Sequence, residues 1–383
     1  IDRQAGNNLA DVLNQALNLN VRPNNSTGKS GVEMFGLDAQ YFKILVDNVP
    51  LLNDEGLGNN TDLTQINLED IERIEIVEGS MGVQYGANAI AGIINVITKK
   101  TSKYKWEISP SLQEETIGSE YNLNTKGRHI QSLKIGHQIT EDLYGNVTFS
   151  RNDFKGFWND HLGKTHLLND ELRGYDWLPK VQNSAKFVLN YKKDNYRIYY
   201  KFDLFDESTT KYNERVLVNE QPETATFHPT ANDQIFNTQR FYHHLNGSGN
   251  VNEWFNYDIS VSFQKQKRKV EDYQYRIREN EKFDVKEFDY ESREGFYSKG
   301  SFSNFLNNEK IDFQLGYEVS EISGFASSIS GDFNGQNISR KLGSYDAFGS
   351  SEVNLTPKFS FRPGIRVMFS SQFKTEQALS FSV

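Results

Sequence analysis

Cysteine is missing altogether from this chain of 383 residues. Its absence excludes a scaffold held together by disulfides and any metal site built from thiolates. A run of about 20 apolar residues, which a membrane-spanning helix needs, is also missing. The most apolar stretch, residues 89–97, is short and contains Gly92 and Asn95. A helical membrane protein is therefore excluded. A transmembrane β-barrel is not excluded, because only every second residue of its strands faces lipid.

Excess positive charge is likewise absent. The formal net charge is -9, which argues against a nucleic-acid partner because such partners select basic surfaces. The chain opens at Ile1-Asp2-Arg3, with neither the basic nor the apolar segment of a signal peptide. We therefore expect either that a leader has been removed or that the sequence starts within a longer protein.

The first hundred residues predict a mixed α/β region. Apolar residues at helical spacing predict a helix, polar and glycine-rich stretches predict loops, and short apolar runs predict strands. The predicted helix covers residues 9–17, the loops cover 22–31 and 51–60, and the strands cover 41–49, 71–77 and 89–98.

After about residue 103 the pattern changes to strict alternation. Successive side chains of a strand point to opposite faces, so alternation predicts strands with one apolar, aromatic face and one polar face. The same alternation occurs in residues 196–204, 311–320 and 359–369. Residues 254–264 place Phe255, Tyr257, Ile259, Val261 and Phe263 on one face, and Trp254, Asn256, Asp258, Ser260, Ser262 and Gln264 on the other.

The links between these strands are alternately short and long, and we count about twelve strands. Short periplasmic turns and long outer loops are typical of transmembrane barrels. A soluble β-sandwich remains an alternative, although it would not separate loop lengths so regularly. The short links lie near 139–142, 192–195, 251–253, 306–309 and 355–358, and the long ones near 116–129, 152–181, 206–238, 268–292 and 321–341.

Residues 70–99 carry the most specific motif, DIERIEIVEGSMGVQYGANAIAGIINVITK. A strand rich in Ile, Val and Glu leads to a glycine turn, then Tyr-Gly, then small residues, then an apolar strand that ends Asn-x-Ile-Thr-Lys. This order resembles the plug-domain signature of TonB-dependent outer-membrane receptors, and residues 9–17 and 44–50 resemble the family's upstream helix and strand. The signature residues here are Glu78, Gly79, Tyr85, Gly86, Gly92 and Asn95.

Three positions depart from the family's pattern. Glu78 stands where the family commonly has an arginine, and Ser80 where it commonly has a proline. In the family that arginine commonly helps to hold the plug against the barrel wall. The resemblance therefore implies a cationic or hydrogen-bond-donating wall partner for Glu78. Asn48 replaces a glycine, so a turn with positive φ there would depend on the tolerance of asparagine for the left-handed region.

The resemblance implies a membrane all-β barrel with an α/β plug inside its lumen. Residues 1–100 would be the plug domain and residues 101–383 the first part of a barrel that has 22 strands in the family. A lumen of about twelve strands is too narrow for a folded plug, and open strand edges are costly in lipid. We therefore expect the intact receptor to continue beyond Val383, and its TonB box to precede Ile1.

The implied function is energised import rather than catalysis. The expected partners are the TonB–ExbB–ExbD complex, outer-membrane lipid, a small-molecule ligand and, for large ligands, a surface lipoprotein. A ferric siderophore is the first choice of ligand, followed by haem, cobalamin, and oligosaccharides or peptides. A passive porin, an outer-membrane enzyme and an adhesive barrel are the other classes. No cofactor or resident metal is expected, although the ligand itself could carry iron, haem or cobalt.

Candidate ligand contacts lie in two loop groups. By the resemblance, residues 22–31 and 51–60 are the plug's upper loops. Aromatic and imidazole side chains in the loop 152–181 would suit a ring-bearing ligand, or equally an aromatic collar at the membrane boundary. The plug candidates are Arg22, Asn24, Asn25, Asn53, Asp54 and Glu55, and the loop candidates are Trp158, His161, His166, Tyr175 and Trp177.

Two other motifs carry less weight. Gly28-Lys29-Ser30 resembles the end of a phosphate-binding loop, but Pro23 stands where that motif needs glycine. His243 and His244 are neighbours in a strand and point to opposite faces, so they cannot chelate one metal from one face. His244 is predicted on the inner, polar face with Arg240 and Asn246.

Overall fold

The computed structural model describes most of the chain. No helix among the described residues is long and apolar enough to cross a membrane. The described residues are 8–14, 19–24, 28–52, 56–58, 60–78, 82–86, 89, 91–159, 170, 172–252, 254–304, 310–330, 335–356 and 359–382.

Residues 8–98, which we call the plug, contain two small sheets and two short helices. One sheet has three strands in the order β1-β2-β3, and the other has four in the order β5-β4-β7-β6. The elements are α1 (Leu9–Leu13), β1 (Leu19–Pro23), β2 (Ser30–Met34), β3 (Leu37–Asp38), β4 (Phe42–Val46), β5 (Val49–Pro50), β6 (Ile71–Glu78), α2 (Gly82–Tyr85) and β7 (Gly92–Thr98).

The plug has an ordinary apolar core. Helix α1 begins after Asn8, whose side-chain oxygen accepts a hydrogen bond from the backbone N–H of Asp11 at 3.1 Å and so satisfies a free donor of the first turn. The helix places Leu9 and Leu13 in a core with Leu63 and Ile94, all of them buried. The described part of the predicted helix therefore packs as an amphipathic helix should.

Strand β7 lies at the centre of the plug, parallel to β4 and antiparallel to β6. All its residues are buried, which explains its nearly continuous apolar sequence. The predicted strand 41–49 is broken by a turn at Asp47 and Asn48, with φ of 51° and 67°. The left-handed conformation expected of Asn48 is confirmed, and Asp47 shares it.

Residues 106–382, which we call the wall, form one large antiparallel sheet. Twelve of its strands pair in chain order, and a short thirteenth strand pairs with β16. The prediction of about twelve strands is confirmed for the described residues. The strands are β8 (Trp106–Glu115), β9 (Arg128–Gln138), β10 (Leu143–Phe154), β11 (Lys180–Lys193), β12 (Tyr196–Lys211), β13 (Val216–Leu217), β16 (Thr230–Val251), β17 (Phe255–Arg276), β18 (Glu281–Ser303), β19 (Ile311–Ala326), β20 (Ile338–Thr356), β21 (Phe359–Ser370) and β22 (Glu376–Ser382), with a separate ribbon of β14 (Glu220–Gln221) and β15 (Thr226–Phe227).

The wall's two faces differ as the alternation predicts. On β17, Ser262 and Gln264 are each 2% exposed, whereas Phe263 between them is 41% exposed. His244 and Arg240 are buried on the inner face, which confirms their predicted orientation. The polar face is covered by protein and the aromatic face is exposed, an arrangement that suits a lipid-facing exterior.

The long loop predicted at 268–292 is wrong. Strand β17 continues to Arg276 and β18 begins at Glu281, with register shifts in their pairing after Arg268 and Asp272. Ion pairs cross this hairpin at Lys265–Glu294 (2.9 Å), Lys267–Asp289 (2.7 Å) and Lys282–Glu271 (3.1 Å). Cross-strand pairs of opposite charge stabilise this hairpin, and its buried apolar residues Val270 and Tyr290 lie beside the register shifts, so the charged sequence resembled a loop.

Candidate functional site

The wall wraps around the plug. Inner-face residues from β10 through to β21 contact it, across a width that a flat sheet could not bring to one small domain. These contacts, which we call the plug seat, are mostly hydrogen bonds and ion pairs, and they include one small apolar cluster of Val49 with Tyr242 and Tyr297.

Two buried aspartates of the plug anchor the seat. Asp70 accepts a hydrogen bond from Lys186 of β11 at 2.9 Å. Asp47 lies 3.0 Å from Lys100 and 3.7 Å from Lys201 of β12. Burial alone would raise the pKa of Asp47, but the two lysines and the hydrogen bonds from Thr98 outweigh it and lower that pKa to about 2. Both carboxylates are therefore charged in the seated plug.

Amide side chains extend the seat. Asn67 of the plug donates to the hydroxyls of Ser150 and Ser184 at 2.5 and 2.7 Å. Gln65 accepts from Arg240 at 3.1 Å. Gln264 of β17 accepts from the backbone N–H of Leu52 (2.9 Å) and donates to the carbonyl of Pro50 (2.8 Å). Each contact joins groups that water could satisfy equally well once the plug moves.

The plug signature meets the wall at Arg366 of β21. Its guanidinium pairs with Glu318 (2.6 Å) and Asp346 (2.9 Å) and donates to the carbonyl of Val83 in α2 at 3.2 Å. Glu78 itself is exposed, and no ion pair joins it to the wall within the residues that the structure describes. The wall cation expected to pair with Glu78 is thus not found among the described residues, and Arg366 instead contacts the backbone five residues beyond it, at Val83.

Two further signature residues, Gly92 and Asn95, act within the plug, and two more, Tyr85 and Gly86, meet the wall. Gly92 has a φ of 143°, and a Cβ there would overlap the carbonyl of Val77. Asn95 accepts from the backbone N–H of Asn48 at 3.1 Å and donates to Glu75 at 3.1 Å. Tyr85 lies beneath the ammonium of Lys299, 4.1 Å from the ring centre. Gly86 has a φ of 82° and adjoins Arg366, and Gly79 lies outside the described residues.

Backbone meets backbone at one point of the seat. A Cβ on Gly56 of the plug would overlap the carbonyl oxygen of Phe325 in β19, and a Cβ on Gly324 would overlap the carbonyl oxygen of Gly56. Such close approach requires glycine on both sides.

A cavity of about 220 Å³ opens between the plug and the loop-side ends of β9, β10 and β11. We call it the outer cavity. Its lining combines amides, hydroxyls, three cations, one carboxylate and two aromatic rings. The lining residues are Asn8, Ala10, Asp11, Asn14, Val21, Asn24, Gly28, Lys29, Ser30, Thr64, Arg128, Asn152, Phe154, Trp177, Leu178, Lys180 and Gln182.

Each cation of the outer cavity is paired with carboxylates. The pairs are Arg128 with Asp11 (3.7 Å) and Glu115 (3.3 Å), Lys180 with Asp62 (3.4 Å) and Glu207 (3.5 Å), and Lys29 with Glu291 (2.7 Å). The cavity therefore carries no excess of positive charge among the described residues.

The aromatic side of the outer cavity is Trp177. Its ring is tilted against Phe157 and Phe154, with centroid distances of 5.4 and 6.5 Å, and it remains 38% exposed. Trp158 and Tyr175, in contrast, stack on one another at 4.3 Å, and Tyr175 stacks on Tyr212 at 5.8 Å. Trp158 and Tyr175 therefore pack on aromatic rings and do not line the outer cavity.

Apart from Trp158 and Tyr175, whose rings stack on each other, the predicted contact residues divide into three groups. Asn24 and Trp177 both line the outer cavity. Arg22 is in β1, paired with Gly31, and lies 3.5 Å from Glu33 rather than in an open loop, so the predicted loop 22–31 is shorter than expected. Six candidates lie outside the described residues: Asn25, Asn53, Asp54, Glu55, His161 and His166.

Sequence reasoning missed the strand residues of the outer cavity. Arg128, Asn152, Lys180 and Gln182 all belong to the polar inner face of β9, β10 and β11. Alternation places them on that face, but the height at which the plug meets each strand depends on tertiary packing.

Comparison with known proteins agrees with this architecture. The model of the TonB-dependent receptor plug domain matches residues 1–93. The ferric enterobactin receptor PfeA of Pseudomonas aeruginosa superposes with a TM-score of 0.72 at 15% identity, over 99% of this chain and 57% of its own. The siderophore receptor PirA of Acinetobacter baumannii gives 0.69 at 15% identity, over 98% and 56%.

The copper transporter OprC gives a TM-score of 0.62 at 12% identity, over 95% of this chain and 61% of its own. The chain thus spans less than two thirds of the length of these solved structures. At such identities the likeness concerns the fold, whereas the family match concerns the plug. Residues 1–93 are a plug domain of the TonB-dependent receptor family, and the wall around them has the fold of part of such a receptor's barrel.

Proposed function

We propose that the protein is an outer-membrane receptor that imports a scarce nutrient with energy delivered through TonB. The polar plug seat carries this proposal. A plug held mainly by ion pairs, amides and a glycine contact exposes little apolar surface when it leaves the wall, because water can replace each polar partner and the buried apolar cluster around Val49 is small. The protein then binds and gates its ligand and has no catalytic role.

In the proposed mechanism, ligand enters from the side of the long loops and reaches the outer cavity. The TonB–ExbB–ExbD complex then pulls on the plug. Contacts such as Asp70–Lys186 and Asn67–Ser184 separate in turn, and the plug rearranges so that ligand passes along the polar inner face of the wall. A cycle of this kind needs a plug seat that is specific but predominantly polar.

A ferric siderophore is the first ligand we propose, because the fold is similar to the receptors PfeA and PirA. Haem, cobalamin, and oligosaccharides or peptides taken up with a surface lipoprotein follow, and the likeness to OprC adds copper. Iron, haem or cobalt would be cargo, with no resident cofactor. A passive porin is the second functional class.

The test uses a deletion strain that expresses the full-length receptor. Growth is measured on single iron, haem, cobalamin and oligosaccharide sources, with TonB intact or disrupted. We expect one source to support growth only when TonB is intact. Receptor-dependent uptake that persists without TonB would favour the porin and remove energised import.

A crosslink tests the plug movement separately. Because the chain has no cysteine, the double variant Asn67→Cys/Ser184→Cys would introduce a single cysteine pair between plug and wall. Import should stop when the pair is oxidised and return on reduction, while Ser184→Cys alone should import under both conditions. Equal import by the oxidised and reduced pair would contradict a moving plug.

A further inference from the structure

We propose, resting on the function proposed above, that the outer cavity selects an uncharged ligand group that donates hydrogen bonds and stacks on Trp177. The chemistry could come from a neutral iron chelate or from a sugar. A strongly anionic chelate, such as iron held by three doubly charged catecholates, does not fit the site.

Charge is the first ground for this proposal. Among the described residues, the three cations of the lining are all paired, and with their direct neighbours the carboxylates outnumber the cations, so an anion that enters would lose its hydration and have to compete with carboxylates for each cation. The cations are Lys29, Arg128, Lys180 and the neighbouring Arg268, and the carboxylates are Asp11, Asp62, Glu115, Glu207 and Glu291.

Hydrogen-bonding capacity is the second ground. Asn152 is 7% exposed, and among the residues that the structure describes its side-chain oxygen has no hydrogen-bond partner. A buried acceptor without a partner is costly, so a hydroxyl or amide donor of the ligand would stabilise the complex. Asn8, Asn14, Asn24 and Gln182 surround the same space, and amides can both donate to and accept from neutral polar groups.

The third ground is the ring of Trp177. Its contacts with Phe154 and Phe157 are tilted, and its exposed fraction leaves ring surface open to the cavity that it lines. Indole faces pack well against flat apolar surfaces, including the C–H face of a sugar and the hydrocarbon links of an iron chelate. A cavity of about 220 Å³ holds part of such a ligand.

Binding to the purified full-length receptor tests the proposal with three probes. The probes are a neutral ferric trihydroxamate, ferric enterobactin as the anionic tricatecholate, and a neutral maltose oligomer. We expect one neutral probe to bind at least tenfold more tightly than ferric enterobactin, and the identity of that probe distinguishes an iron chelate from a sugar. Equal or tighter binding of ferric enterobactin, or binding of no probe, would overturn the proposal.

Two variants connect the binding to this cavity. Trp177→Ala should lower the affinity for the neutral probe about tenfold. Trp106→Ala, on the exposed outer face of β8, should leave the affinity for that probe unchanged. Asp11→Asn removes a carboxylate from the lining. This variant should increase the affinity for ferric enterobactin several-fold and change the affinity for the neutral probe by less than twofold. A merely structural role for Asp11 would weaken both probes alike.

The outcomes separate this inference from the proposed function. Uptake of ferric enterobactin that requires TonB but is unchanged in the Trp177 and Asp11 variants would support energised import and contradict the proposed selectivity. Binding of a neutral probe that depends on Trp177, together with uptake that persists without TonB, would leave the selectivity intact and remove energised import.

Discussion

The plug and the wall solve the same folding problem in opposite ways. The plug buries Leu13, Leu63 and Ile94 in a core and exposes the charged residues of β6, as a water-soluble domain does. The wall exposes Phe149, Leu245 and Phe263 and covers Lys134, Lys201 and Gln264. The two units therefore meet mainly through polar surface, with one small apolar cluster around Val49. Their interface can therefore be specific and still separable.

The largest effect is expected from breaking one buried ion pair of the seat. Lys186→Met leaves Asp70 charged and buried, and removal of one partner of such a pair costs about 3–5 kcal/mol. Hydrogen exchange of the plug in the full-length receptor should accelerate, and antibiotic leakage should rise. The double variant Lys186→Met/Asp70→Asn should recover much of the lost stability. Glu72→Gln, at an exposed ion pair, should change neither the hydrogen exchange nor the leakage. A double variant as damaged as the single one would mean that the pair is not coupled.

The next effect concerns the plug's own core. Ile94 is fully buried in β7, and its cross-strand partner Ile76 in β6 is 38% exposed. Ile94→Ala should lower the free energy of unfolding of the plug by about 2–5 kcal/mol, measured by urea denaturation, whereas Ile76→Ala should cost far less. Equal losses at the two positions would break the comparison between the plug and a soluble domain.

A third test addresses the wall's outer face. Phe263 is 41% exposed on β17, and a lysine on the lipid face of a barrel costs up to about 2–4 kcal/mol near mid-bilayer. Phe263→Lys should reduce folding into lipid vesicles, followed by the shift of the folded band on unheated gels, while Phe263→Leu should fold normally. Efficient folding of both variants would contradict a lipid-facing surface.

The smallest effect is a pH dependence at Asp47. Its pKa is lowered from 3.8 to about 2 by its lysine and Thr98 partners. Its contribution is therefore complete above about pH 4 and is lost as the pH falls towards 2. The shift corresponds to about 2 kcal/mol. The unfolding free energy of the plug should fall across this interval, and Asp47→Asn should flatten that part of the profile. An identical profile in Asp47→Asn would exclude the aspartate as the cause.

Most of the fold could be predicted because each unit has a local signature. Period-two alternation gave the wall strands and their inner faces, including His244 with Arg240, and the glycine-rich motif gave β6 and β7. The hairpin at 268–292 could not be found in this way. Its strands are joined by charge pairs such as Lys267–Asp289, and the register shifts interrupt the period-two repeat of its apolar residues.

The candidate site was predicted less well. Asn24 and Trp177 stand out because loop asparagines and loop tryptophans are conspicuous in sequence, and both line the outer cavity. Asn152 and Gln182 occupy strands in which every second residue is polar, so nothing local distinguishes them from their neighbours. Only the seating of the plug against β10 and β11 selects them.

The contact between Gly56 and Gly324 has a mechanical consequence. Where the two backbones touch, neither glycine has a side chain that must change rotamer when one surface moves past the other. A methyl group added at either glycine would overlap a carbonyl oxygen of the other surface, so the contact tolerates no side chain. The glycine contact lies beside the hydrogen bond from Arg293 to the carbonyl of Gly58 (2.7 Å), so movement of the plug at this point has to break a polar contact.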